Sequence, residues 1–380
     1  MAISVAGGLK TGKIVDVEKR LYQQLIVGKQ KSNAMFDELD AELEASASKL
    51  DIEREAILAR LQKQIDAKAI YEAISTQLTD TVCNAIEHQL SQPELVLKSA
   101  TVDQAQLMLL EILQAKNLDL NRLRPMIAGQ SWIAKDLLTM VNSPAFRAKR
   151  PQRADVKVTD IKLVLNFVGI ESLKTIIPYY CLRHWLPSGH ASLLWTKRKL
   201  WRYSVVSAIA VKALANLHRR NECLLYCVSL LSQLGTSVIL GNSARLFEKT
   251  WGTWLREASG SRDKEVYDAI IATEFPAQAV LEQVLNRGSE LNWQLLNLLD
   301  FKESKLSSLL TEIDQTMVFR ELSEDAKLIA KASCYAKVML LEEMRQIEPQ
   351  EKRVMFDYYE FTEQELIRLK GQNYRKLELL

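Results

Sequence analysis

The sequence predicts an all-α protein, and three observations carry the prediction. Only 13 Gly and 8 Pro punctuate 380 residues, so the turn signals an all-β chain needs every ~8–12 residues are missing. Apolar residues recur at three- and four-residue steps over long stretches, which is the period of one helix face. Leu, Ala, Glu and Lys are the most frequent residues, and all four are good helix formers. With 48% hydrophobic residues and both charge signs plentiful, the chain is long enough for two domains with real cores.

Residues 1–93 read as an N-terminal helical extension. The opening MAISVAGGLKTGKIV has lysines where a secretory signal has its apolar core, and no later segment approaches ~18 uninterrupted apolar residues, so a cytoplasmic protein with no membrane span is expected. From Leu50 onward Ile57, Leu61, Ile65, Ile74, Leu78, Val82, Ile86 and Leu90 keep helical spacing. This predicts one long amphipathic helix, or two with a break. Such a helix packs on its own domain or on a partner, a homodimer through the N-terminal helices included, although its heptad register is incomplete.

Pro93 ends that run, and residues 94–186 read as a subdomain of shorter helices. The helix WIAKDLLTMV should stop near Asn142, because the residue before a proline avoids helical geometry while Ser143 and Pro144 suit the cap and first position of a new turn. Asn142, Ser143 and Pro144 thus form a structural corner. Gly169 permits a helix end, with Glu171 placed at the positive start of the next helix, and Pro178 should kink that helix. Residues 187–345 carry near-continuously apolar helices that must be buried on more than one side. One of them is Cys223 to Asn242, read as a single helix, where Gly235 implies close contact with a neighbour. In the polar tail, 346–380, Thr362 and Glu365 make a capping box.

Cys83, Cys181, Cys223, Cys227 and Cys334 are scattered through apolar helical patterns, as reduced structural thiols are. Cys223 and Cys227 share a helix face, yet two thiols without a third and fourth ligand make a poor zinc site. No cofactor is expected: phosphate-binding glycine loops, nucleophile elbows and zinc-protease motifs are all missing.

The net charge of +3 conceals a basic segment. Residues 141–220 hold 15 Lys and Arg against three acids, leaving 35 bases and 44 acids elsewhere. The two parts should see opposite partners. Within two clusters, FRAKRPQR and WTKRKLWRY, the candidate anion or partner contacts are Arg147, Arg150, Lys197, Arg198 and Arg202. Such runs can also solvate a helix face or pair with the acidic DELDAELEA. Trp195 and Trp201 flank the second cluster, where a base could stack or the rings could bracket a buried face.

The order LLTMVNSPAF, KLVLNFVGIESLKTII, KLWRYSVVSAIAVKALANL, LLYCVSLLSQLGTSVIL resembles, in sequence and spacing, the HDOD domain, a bacterial signalling module related to HD phosphohydrolases. The resemblance runs over roughly residues 94 to 300 and implies an HD-like helical bundle. It also implies that the His-Asp metal pair of the enzymes falls at Ser232 and Gln233, and a further histidine at Tyr203. A divalent ion that activates water needs about three imidazole or carboxylate ligands, and a hydroxyl and an amide do not replace them. None of His88, His184, His190 and His218 is spaced to share a helix face with another, and no histidine stands around Ala272, Thr273 and Glu274, where a later ligand would fall. Ser232 and Gln233 either satisfy each other and nearby backbone or line a pocket that still receives a nucleotide or other small anionic ligand.

The expected function is therefore a non-catalytic signal-transduction or regulatory module that binds a signalling protein or a ligand. A degenerate HD-type metal-dependent phosphohydrolase is the alternative, and nucleic-acid or nucleotide binding through residues 141–220 is a third reading.

Overall fold

The structure is a computed structural model that describes residues 12–28, 51–115, 117–148, 157–316 and 318–374. Arg150 and the acidic DELDAELEA lie outside these residues. Every element among the described residues is a helix. Helix α1 (Gly12–Ile26) buries Ile14, Val17, Leu21, Tyr22 and Leu25 along one stripe, with Glu18 inside the stripe. Helix α2 (Asp51–Leu90) is a single 40-residue element.

A layer of shorter helices follows: α3 (Pro93–Ser99), α4 (Gln104–Ile112), α5 (Leu120–Gly129), α6 (Ser131–Val141), α7 (Pro144–Arg147), α8 (Ile161–Val168) and α9 (Ile170–Trp185). Local chemistry sets their ends. Asp103 and Gln106 form a reciprocal capping box at α4, and Gly169 takes φ +75°, closing α8 and opening α9. Only glycine adopts that backbone without a Cβ penalty. Pro178 is buried inside α9, which continues to Trp185.

The long apolar helices are α10 (Leu194–Leu217), α11 (Glu222–Leu231), α12 (Leu234–Ser261), α13 (Lys264–Ala272), α14 (Ala277–Leu298), α15 (Lys305–Gln315) and α16 (Glu324–Glu343). Two short helices, α17 (Pro349–Tyr358) and α18 (Glu363–Lys370), complete the order. Helix α10 packs on α11 and α16, while α12 packs on α14; α9 joins the two layers through α11. Helix α2 runs along α12 and α13, burying Leu78, Val82, Ile86 and Leu90. Helix α1 is seated among α10, α14, α16 and α17, so this N-terminal helix shares the core of the long helices.

Cys223 to Asn242 is not one helix. It breaks at Ser232 and Gln233, between α11 and α12, and Asn292 of α14 bridges the break. The Asn292 amide donates to the Ser232 carbonyl at 2.9 Å and its oxygen accepts the Gly235 N–H at 2.7 Å. One side chain thus satisfies backbone groups on both sides, which removes the penalty of interrupting a buried helix. The most apolar 18-residue window within residues 222–261 has the composition of a membrane span, with mean hydropathy 1.8, but 89% of it is buried inside the fold. It is core.

Gly235 sits where α12 and α14 touch, and a Cβ built there would collide with the Gly288 carbonyl oxygen. At Gly252, farther along α12, an added methyl group would meet nothing within 4 Å. Gly235→Ala should therefore cost about 3 kcal/mol through forced separation of two core helices, while Gly252→Ala should add up to about 1 kcal/mol from helix propensity. Urea unfolding of the two variants checks this: equal effects would mean that the α12–α14 contact is not as close as described.

Candidate functional site

Tyr203, Ser232 and Gln233 come together at one small cavity. Ser232 reaches it because it caps the end of α11, its hydroxyl donating back to the Ser229 carbonyl at 2.7 Å. The Gln233 amide donates to the Ser232 hydroxyl at 3.4 Å, and its oxygen accepts from the Tyr22 hydroxyl of α1 at 3.2 Å. Tyr203, on α10, shares a 2.9 Å hydrogen bond with Ser333 of α16 and meets the Tyr22 ring edge-on at 6.2 Å. Burial pushes the pKa of both phenols upward, out of the physiological range, so both act as neutral hydroxyls.

Glu18 of α1 and Lys337 of α16 form an ion pair at 2.8 Å with both side chains almost wholly buried, 2% and 1% exposed. The Tyr359 hydroxyl donates to the same Glu18 oxygen at 3.0 Å. Burial alone would push the Lys337 ammonium down, but Glu18 and Tyr22 hold it above the ordinary lysine value. It stays charged. At the rim Arg20 grips both oxygens of Glu351 at 2.8 Å, and that hydrogen bond draws the carboxyl down to about 2. Helix α1 is therefore fastened at its buried face and at its edge.

The cavity left between these groups is about 30 Å³ and is lined by Tyr22, Tyr203, Ser232, Gln233, Asn292 and Lys337, with Ser289, Ser333 and apolar residues of α15 and α16. That is room for about one water, against the several hundred Å³ of a small-molecule site. Among the described residues no imidazole, thiol or carboxylate lines it, and no group of three His, Cys, Asp or Glu suited to a metal occurs. Amides, hydroxyls and a fixed ammonium do not fit a divalent cation that must prime water.

Several of these residues escape a reading of the sequence. The family resemblance points to 272–274 for later ligands, but the later helices present Asn292, Ser333 and Lys337, and the helix facing Gln233 from the other side is α1. A polar Glu18 within the apolar stripe of α1 was the available signal. The histidines lie elsewhere: His184 stacks on Trp132 with ring centres 4.2 Å apart, His190 meets Glu248 at 2.8 Å, and His218 meets Glu365 at 2.9 Å.

At the corner, Asn142 holds the loop after α7 by exchanging two 2.8 Å hydrogen bonds with the Val158 backbone, and the Ser143 hydroxyl caps α7 by accepting the Phe146 N–H. The basic candidates have separate surroundings. Arg147 ends α7, Arg202 pairs with Glu343 at 2.7 Å, and Arg198 lies over the Trp195 ring at 5.2 Å. Burial lowers the Lys197 ammonium, with Arg183 adding to the effect. Trp195 is 68% exposed, while Trp201 packs edge-on against Tyr179 at 6.1 Å.

The two helical layers, joined through α9 and α11, place Tyr203, Ser232 and Gln233 around one small polar cavity. Residues 100–274 match the family model of the HDOD domain. This stretch of the chain is an HDOD domain. No curated protein and no solved structure matches it.

Removing one member of the buried ion pair strands the other. Lys337→Met should cost about 3–5 kcal/mol, and Glu18→Gln a comparable amount, but the double variant should lose about 2 kcal/mol less than the two separate losses together. Chemical denaturation of the four proteins measures this coupling; strictly additive losses would mean that the two charges do not depend on each other.

Proposed function

We propose that this HDOD protein is a non-catalytic signalling module that acts by binding a protein partner, in a cytoplasmic bacterial setting. The observation that carries the reading is the ammonium of Lys337, locked to Glu18, in a cleft whose other polar groups are Gln233, Ser232, Asn292 and hydroxyls. A divalent ion placed there would face a fixed positive charge in a low-dielectric surrounding, and the repulsion is strong. Five free thiols agree with a reducing compartment. The module would relay a state because a partner prefers one arrangement of the two helical layers and shifts the population toward it by that difference in affinity.

The competing reading is a degenerate metal-dependent phosphohydrolase. Purified protein equilibrated with manganese, iron or magnesium and then desalted is expected to retain well under one ion per chain and to leave a chromogenic phosphodiester uncleaved. Stoichiometric metal together with turnover would replace the binding module by the enzyme.

A further inference from the structure

A second and far larger cavity, about 350 Å³, opens where α9, α10 and α11 meet the end of α18. Its size falls within the range of small-molecule sites, and its walls come from both helical layers. Thr175 of α9, Lys212 and Asn216 of α10, Tyr226 of α11, and Arg368 and Gln372 at the α18 end carry its polar chemistry.

Two features set it apart from an ordinary surface recess. Tyr226 is 2% exposed, yet its hydroxyl has no hydrogen-bond partner among the described residues. A buried hydroxyl without a partner is costly, and beside a cavity the missing acceptor can come from a ligand. Burial pushes the phenol's pKa well up, so the group keeps its proton and is an O–H donor. The second feature is charge. The Lys212 ammonium donates to the Thr175 hydroxyl at 3.0 Å and the Arg368 guanidinium to the Asn216 amide oxygen at 3.1 Å. Among the described residues neither forms an ion pair. Among the described residues the one acid on the wall is Glu222, which accepts from the Asn216 amide at 2.8 Å. Two cations against that carboxylate leave the wall net positive, which calls for an anionic ligand, and a phosphate monoester spreads its charge over several oxygens that can meet both cations. A guanidinium suits phosphate oxygens in addition, and neighbouring amides and hydroxyls suit a polyhydroxylated carbon skeleton.

We propose that this cavity binds a small phosphate monoester of a sugar or polyol, with Lys212 and Arg368 on the phosphate and Tyr226 donating to one of its oxygens. The assignment stands whether or not the Gln233 cleft is catalytic, since the two cavities share no lining residue.

Calorimetric titration of the full chain with glucose 6-phosphate tests it, with glucose as the uncharged control. Saturable one-site binding is expected, absent for glucose, about tenfold weaker in Lys212→Met and in Tyr226→Phe, and unchanged in Arg198→Gln on the other basic cluster. Tyr226→Phe removes only the unpartnered hydroxyl, so it should melt no lower than the parent protein, and its binding result does not depend on the fate of the lysine variant. No saturable binding, binding indifferent to Tyr226→Phe, or binding lost in Arg198→Gln would overturn the assignment.

Discussion

The ion pair between Glu18 and Lys337 joins residues 319 positions apart in the chain and excludes water from both. Each charge alone would be intolerable in that surrounding, so each enforces the presence of the other. Lys337 is fixed on α16, inside the bundle. The pair therefore dictates that α1 lies in the cleft, and from the seating of α1 follow the Tyr22 bond to Gln233, the Tyr22–Tyr203 ring contact and the closure of the cavity to the size of a single water. Arg20 and Glu351 add a second fastening nearer the surface, where solvent weakens an ion pair and its contribution is smaller.

The HD architecture holds a divalent ion by surrounding it with imidazoles and carboxylates. Here the cleft is lined by hydroxyls and amides, and its cation is an ammonium of the chain whose counter-charge arrives on a helix from the N-terminal segment. The arrangement satisfies the electrostatics of the cleft without an exchangeable ion. It also makes the cleft's state depend on α1, an element outside residues 100–274 that match the family. A binding module can use such dependence, because a partner with different affinity for the two helical layers acts on packing rather than on chemistry.

Most helices were legible because apolar periodicity and capping residues act locally. Ser143 with Pro144, Gly169, and Thr362 with Glu365 each satisfy a helix end through neighbours in the chain, so spacing alone locates them. Ser232 and Gln233 are singled out only by the resemblance of their flanking helices to those of HD proteins. What surrounds that pair was not legible. The helix break depends on Asn292, 57 residues beyond Gly235, and apolar periodicity carries straight through it. Helix α1 has a regular stripe from Ile14 to Leu25, but Glu18 interrupts it, and a carboxylate there makes sense only once Lys337 is known to face it. Long-range charge pairing leaves no trace in local spacing. For the same reason the basic segment looked like one surface, while Arg202 is engaged by an acid on α16 and Arg198 lies over an exposed tryptophan.

Amide hydrogen exchange of the intact protein tests the seating of α1 most directly. If the buried ion pair anchors this helix in the cleft, the backbone amides of residues 17–26 will exchange as slowly as those in the middle of α10 and α16, since all three open only when the core opens. Exchange of those amides within seconds, while α10 and α16 remain protected, would show a helix that leaves the cleft freely and would contradict the account.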